Sequence, residues 1–327
     1  MLNASVKVYL LVLNWPGAEA GPMQPRHLLA ALLVAVVWGL NFVAIDIGLE
    51  TFPPLLFTAL RFAVAAVPAV FLVGRPGVPW RWVLGVGLTI GALQFGLLFL
   101  GIHLGMPAGL SSLVVQTQAV FTMVFAAALL GERPGRWRIA GMAVALAGIG
   151  LVALDYGQTS PLLAFLLVLG SAVGWALGNV ATRKAAPPDA FRFMVWVSAV
   201  PPLPMLALSV LVEGVGPDLR ALSHPTVPAL VSLGYVAWLA TLVGYGLWGM
   251  LIRRYGATAV APYSLLVPVF GMSSSALVLR ENLSGLRIAA AALVIVGVAL
   301  TSGFGRKMPG RQSAAAGRRY GAPHDVR

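Results

Sequence analysis

The chain has 327 residues, of which 59% are hydrophobic and 10% charged, against about 45–50% and about 25% in soluble domains. That composition excludes a soluble fold, and the net charge of +12 is not a nucleic-acid footprint, because the basic residues sit in gaps between apolar runs rather than on one face. With no cysteine and four scattered histidines, disulfides, iron–sulfur clusters, thiolate zinc sites and a histidine metal cage are excluded too, and no cofactor is expected.

Residues 1–24 read as an N-terminal extension. Lys7, the run from Val8 to Leu13 and Ala18-Glu19-Ala20 imitate a secretory signal, but Asn14 and Pro16 interrupt the apolar part, and Met23 is the favoured start. Ten apolar spans follow, at 28–48, 55–73, 82–101, 108–130, 137–154, 162–182, 193–212, 228–250, 257–279 and 286–303. Each approaches the roughly 20 residues an α-helix needs to cross about 30 Å of hydrocarbon. Their short connections carry Gly and Pro, as at Arg75-Pro76-Gly77-Val78-Pro79 and Arg133-Pro134-Gly135. The predicted fold is therefore all-α, a polytopic membrane protein of ten transmembrane helices.

Residues 106–154 return at 255–303, with Glu132 falling on Glu281 and Arg138 on Arg287 at an offset of 149. In so weakly charged a chain, two coincident charges at one offset mark an internal repeat. The front halves echo more faintly: Trp38 corresponds to Trp175, and Pro53 and Pro68 to Pro187 and Pro202. The offset then grows, which places an insertion around 213–227. The chain thus divides into a first five-helix repeat over 25–158, a second over 159–304, and a basic tail over 305–327.

An odd number of crossings per unit turns the second copy upside down relative to the first. Cytoplasmic loops hold the excess of Lys and Arg, and of the 22 basic residues only Arg61, Arg220, Arg280 and Arg287 fall off the side that carries both termini. Both termini are predicted cytoplasmic. Inverted repeats are characteristic of secondary transporters, whose central site opens to each face in turn. Duplication in a non-transporting membrane scaffold is the plain alternative.

The predicted binding residues are polar or aromatic at mid-depth, where polar groups face the bundle interior or a water-filled cavity. Asn41 lies three residues after Trp38, and Asn179 four after Trp175, so each pair shares a helix face. Gln94, Gln116 and Gln118 join them, although Gln116 and Gln118 stand roughly 200° apart on a helix, so that only one of the two is expected to face a cavity. Arg61 is the sole charge deep within a span; its fork suits a carboxylate, with snorkelling or pairing with Asp46 as the structural alternatives. Tyr235, Trp238, Leu242 and Tyr245 are spaced as one stripe, from which Trp238 and Tyr245 could hold an ammonium group by cation–π attraction, with a lipid-facing or packing surface as the structural alternative. Three glycine series, Gly170-Gly174-Gly178, Gly87-Gly91 and Gly101-Gly105, read as helix packing, and Pro262, Pro268, Pro201, Pro202 and Pro204 as breaks. His103 and the scattered serines lack the frame of a catalytic site, and no phosphate-cradling loop is present, so no enzyme and no ATP-driven motor are expected.

Trp38-Gly39-Leu40-Asn41-Phe42, Met106-Pro107-Ala108-Gly109-Leu110, Gly131-Glu132-Arg133 and the duplication resemble the EamA family of drug/metabolite transporters. Ser112-Leu113-Val114-Val115-Gln116-Thr117-Gln118-Ala119, Val243-Gly244-Tyr245-Gly246-Leu247-Trp248-Gly249 and Ser264-Leu265-Leu266-Val267-Pro268-Val269 are similar to its O-acetylserine/cysteine exporter branch. The resemblance implies a central cavity between the repeats, alternating access, and export of small metabolites across a bacterial inner membrane. The expected partners are a small-molecule substrate and the lipid bilayer, with no nucleic acid; a homodimer stays open, as does an aromatic amino acid, nucleotide sugar or drug as substrate.

Overall fold

A computed structural model describes residues 23–131, 134–156, 162–255, 260 and 263–301. Glu132, Arg133, Pro262, the segment 1–22 and the basic tail lie outside the described residues. Helices occupy all ten apolar stretches: α1 Pro25–Leu49, α2 Pro54–Val70, α3 Trp80–His103, α4 Ala108–Leu130, α5 Arg136–Tyr156, α6 Leu162–Ala185, α7 Ala190–Val212, α9 Val227–Tyr255, α10 Val267–Val278 and α11 Gly285–Thr301. Seven of these are long and apolar enough to cross a membrane, and Pro54–Val67, Val267–Val278 and Gly285–Leu300 are shorter apolar helices. A short helix, α8 Val215–Ser223, fills the insertion that the growing offset located.

Proline breaks the helices where the sequence places it. α7 stops at Ser198 and restarts at Pro202, and Pro268 sits in the first turn of α10, after a turn at Leu265–Leu266. A proline supplies no N–H, so it is tolerated in the first turn of a helix and not in its interior.

The helices pack in pairs with a regular pattern. α5 lies along α11, α2 along α7, and α4 along α10; α1 packs against α9 and α10, as α6 packs against α3 and α4. Exchanging each helix of the first half for its counterpart in the second leaves these pairings unchanged. The contacts depend on missing side chains, as expected where lipid supplies no hydrophobic force between helices. A Cβ on Gly297 would stand 2.3 Å from the Ala145 nitrogen, and one on Gly178 2.1 Å from Ile90. Gly87 and Gly91 receive Val200 and Pro201 from the break in α7, and Gly101 receives Val168. Gly105 does not follow the packing expectation: it closes the α3–α4 turn at φ +101°, a conformation that glycine adopts without steric cost.

Two carboxylates tie loops to helix starts at one end of the bundle. Glu213 accepts from the Leu55 and Leu56 N–H groups at 2.8 and 3.2 Å. Glu281, in the loop after α10, accepts from the Gly109 N–H at 3.1 and 3.2 Å. Both meet the unpaired donors and positive dipole end of a helix. Burial pushes the Glu281 carboxyl above its ordinary value of 4.5; nearby Asp46 adds to this, and the Gly109 and Ala108 N–H groups and Arg287 oppose it.

Two predictions follow from the packing and the cap. Gly297→Val forces α11 off α5 and lowers the unfolding temperature of the detergent-solubilised protein, a cost of about 1–3 kcal/mol for overpacking; an unchanged melt would show that the pair tolerates separation. Because the folded Glu281 value is raised, its contribution to stability is complete below 4.5 and is lost as pH rises through the folded value. Glu281→Gln should therefore gain in unfolding temperature relative to the parent as pH climbs from 4 to 8, and a constant difference across that range would refute the assignment.

Candidate substrate-binding site

A cavity of about 390 Å³ lies between the two halves of the chain, within the roughly 300–1,000 Å³ range of small-molecule sites. It is walled by Trp38 and Asn41 of α1, Arg61 of α2, Gln94 and Phe95 of α3, Gln116 and Gln118 of α4, Trp175 and Asn179 of α6, and Tyr245 and Trp248 of α9. Nine of the ten sequence-predicted residues thus converge, the exception being Trp238. The lining continues through Thr182, Pro187, Ala190 and Ile252, toward the end of the bundle that carries Arg183, Lys184 and Arg253. Away from that end, Phe95, Phe99, Phe57 and Phe52 form a column of ring contacts with centroids 5.1–6.1 Å apart.

Arg61 is only 2% exposed, and it neither snorkels nor pairs with Asp46. Its Cζ sits 3.9 Å from the Phe95 ring centroid and 5.5 Å from that of Phe62, a cation–π arrangement that partly offsets lost water. Nε and one terminal nitrogen donate to Thr241 Oγ1, each at 3.3 Å. The other, NH1, has no partner. Asn41 Oδ1 and Gln94 Oε1 are likewise buried without a partner, so one cationic donor and two neutral acceptors are unsatisfied around one cavity. Buried polar groups in that state are costly unless a ligand or water meets them.

The remaining amides each make a hydrogen bond within the protein. Asn179 Nδ2 donates to Gln118 Oε1 at 2.8 Å and to Thr122 Oγ1 at 3.2 Å. Gln116 Nε2 donates to the Ser264 carbonyl at 2.9 Å. Gln116 and Gln118 both reach the cavity, contrary to the helical-wheel expectation, because Val115–Thr117 is a 3₁₀ turn. Three residues per turn leave positions two apart about 120° from each other instead of about 160°.

π-helical winding is the feature that sequence reasoning missed. Among the described residues it occurs twice, at Gly87–Gln94 in α3 and at Tyr235–Val243 in α9, in corresponding helices of the two halves. The wider i→i+5 turn disperses the expected aromatic stripe. Tyr235 turns to α1, its hydroxyl donating to the Val37 carbonyl at 2.8 Å. Trp238 turns outward, 53% exposed, its Nε1 donating to the Val64 carbonyl at 3.3 Å. Tyr245 alone of the four lines the cavity. Thr241 Oγ1 donates to the Val236 carbonyl five residues back at 2.8 Å, and Trp38 Nε1 donates to the Ala240 carbonyl at 3.0 Å. The available signal was glycine at the segment ends, Gly87 in the first and Gly234 and Gly244 around the second. Gly174 and Gly178 pack on the first π segment, Gly174 facing the Thr89 carbonyl and the Gln94 nitrogen, and Gly170 packs on Leu97 just after it; the packing role expected for these glycines is the one observed.

The model of the EamA-like transporter family matches residues 26–154 and 162–303. A probable amino-acid metabolite efflux pump of Escherichia coli K12 is 44% identical over 282 residues, covering 84% of this chain and 94% of that protein. A probable terminal-alkyne amino-acid exporter of Streptantibioticus cattleyicolor is 28% identical over 301 residues, covering 89% and 97%. A protein of known crystal structure superposes with a TM-score of 0.59 at 21% identity, over 85% of this chain and 96% of that one, which bears on fold alone. With both halves matched and a full-length relative well above 30% identity, the chain belongs to the EamA-like transporter family.

Proposed function

We propose that this protein is a secondary transporter that exports small amino-acid-like metabolites, of the O-acetylserine and cysteine type, across a bacterial inner membrane by alternating access. The observation that carries the reading is the cavity itself: Arg61, with an unpartnered guanidinium nitrogen, lines it together with Asn41 and Gln94, each with an unpartnered oxygen. A zwitterion meets all three, its carboxylate on Arg61 and its ammonium on the two oxygens, with Trp38, Trp175 and Tyr245 offering ring faces. The E. coli relative's description as an amino-acid metabolite efflux pump points to the same substrate class.

The architecture proposed is ten crossings in two inverted five-helix repeats, 25–158 and 159–304. The exchange-invariant helix pairing supports it, as do the paired π segments. Excess Lys and Arg on one side supports a cytoplasmic position for both termini. In that orientation the cavity reaches toward the cytoplasm, past Thr182 and Ile252, and the phenylalanine column closes the outer end. Alternation would exchange these two arrangements by moving one half against the other.

Two experiments test this. The chain has no cysteine, so single cysteines report cleanly on sidedness: Arg75→Cys and Arg220→Cys lie in corresponding loops of the two halves. An impermeant maleimide applied to intact cells should label only the second, and labelling of both from one side would remove the inverted repeat. In inverted vesicles offered radiolabelled amino acids, Arg61→Lys should lower kcat/KM for uptake by about 10–100-fold, since an ammonium cannot reproduce the planar fork. Transport at the parental rate would end the carboxylate role.

A further inference from the structure

The charge balance of the cavity limits how the carrier can cycle. Among the described residues that line it, Arg61 is the sole charged side chain. No carboxylate pairs with it: two of its nitrogens meet a neutral hydroxyl, the third has no hydrogen-bond partner, and its other neighbours include the Phe62, Phe95 and Phe99 rings and Tyr245. Arginine does not shed its proton in a protein, so this positive charge is permanent.

We infer that the carrier is an exchanger, in which Arg61 must hold a carboxylate during both the outward and the return step. The inference rests on the transport reading above. Alternating access passes through a state closed at both ends, in which the cavity holds the least water. A loaded cavity enters that state with the guanidinium paired and hydrogen-bonded. An empty one enters it with a buried cation facing aromatic rings, and an uncompensated buried charge is the costly case, whereas a paired one approximately balances its desolvation. The empty crossing is therefore the slow one, and a second amino acid returning on the same site removes the barrier. Asn41 and Gln94, being neutral, contribute acceptors for an ammonium but cannot supply the missing negative charge.

The test uses the full chain in proteoliposomes with radiolabelled cysteine outside, kept reduced with dithiothreitol. The lumen holds unlabelled cysteine, cysteamine (the same molecule without its carboxylate), or no amine, the last in either chloride or isethionate medium. Exchange predicts initial uptake into cysteine-loaded vesicles about tenfold faster than into empty or cysteamine-loaded ones. Equal rates into empty and loaded vesicles would overturn it, as would cysteamine acting as well as cysteine. Empty vesicles that match loaded ones in chloride but not in isethionate would also overturn it, assigning the charge cover to a halide. Absence of uptake in every arm would sink the transport of cysteine and this inference together, whereas the preceding outcomes sink the inference alone. Arg61→Gln should bring the loaded-to-empty ratio close to one, while Arg61→Lys should keep it high; the parental arms decide the matter even if Arg61→Gln does not fold.

Discussion

The hydrogen bond from Trp38 Nε1 to the Ala240 carbonyl shows the constraint under which this molecule is built. In hydrocarbon no water satisfies a backbone group released from its helix, so protein must do so. The π segment of α9 displaces backbone groups from the ordinary i→i+4 ladder, and the Trp38 indole, together with the Thr241 hydroxyl on Val236, occupies carbonyls there. Gly244 makes room, since a Cβ at that position would lie 2.5 Å from the indole nitrogen. The same local winding puts Thr241 on Arg61 and Tyr245 into the cavity. One interhelical contact thus shapes α9, positions the receptor of the buried cation and closes part of the cavity wall.

The two halves are similar in packing and unequal in chemistry. Trp38 with Asn41 and Trp175 with Asn179 face the cavity from α1 and α6, but Asn179 is spent on Gln118 and Thr122 and Asn41 is not. The position corresponding to Arg61 is Val195, which is buried against Ala69 and Val73. The fixed positive charge therefore comes from one half alone. A cavity with this asymmetry draws similar helices from both halves and its charged side chain from one.

Period and composition were sufficient for the helices, because a span of some 20 apolar residues has no other stable form in lipid. The same logic located the breaks at Pro202 and Pro268 and the packing role of the Gly170 series. It failed where the winding departs from 3.6 residues per turn. Gln116 and Gln118 were expected on opposite faces and share the cavity through a 3₁₀ turn. Tyr235, Trp238 and Tyr245 were expected on one face and point to a helix, to the outer surface and to the cavity.

From sequence alone came the membrane class, the helices, the duplication and the set of mid-depth polar residues, since each follows from hydrophobicity, spacing and rarity along the chain. Which of those polar residues find a partner within the protein and which do not was decided only by the tertiary structure. Asn179 and Asn41 are the same residue type beside the same kind of tryptophan, and no local pattern distinguishes them. The difference arises because Gln118 and Thr122 of α4 come within hydrogen-bonding distance of Asn179, while no described group makes a hydrogen bond to the buried oxygen of Asn41. Hydrogen-bond satisfaction belongs to neighbours brought together across the fold, and neighbours of that kind are not written in any one helix.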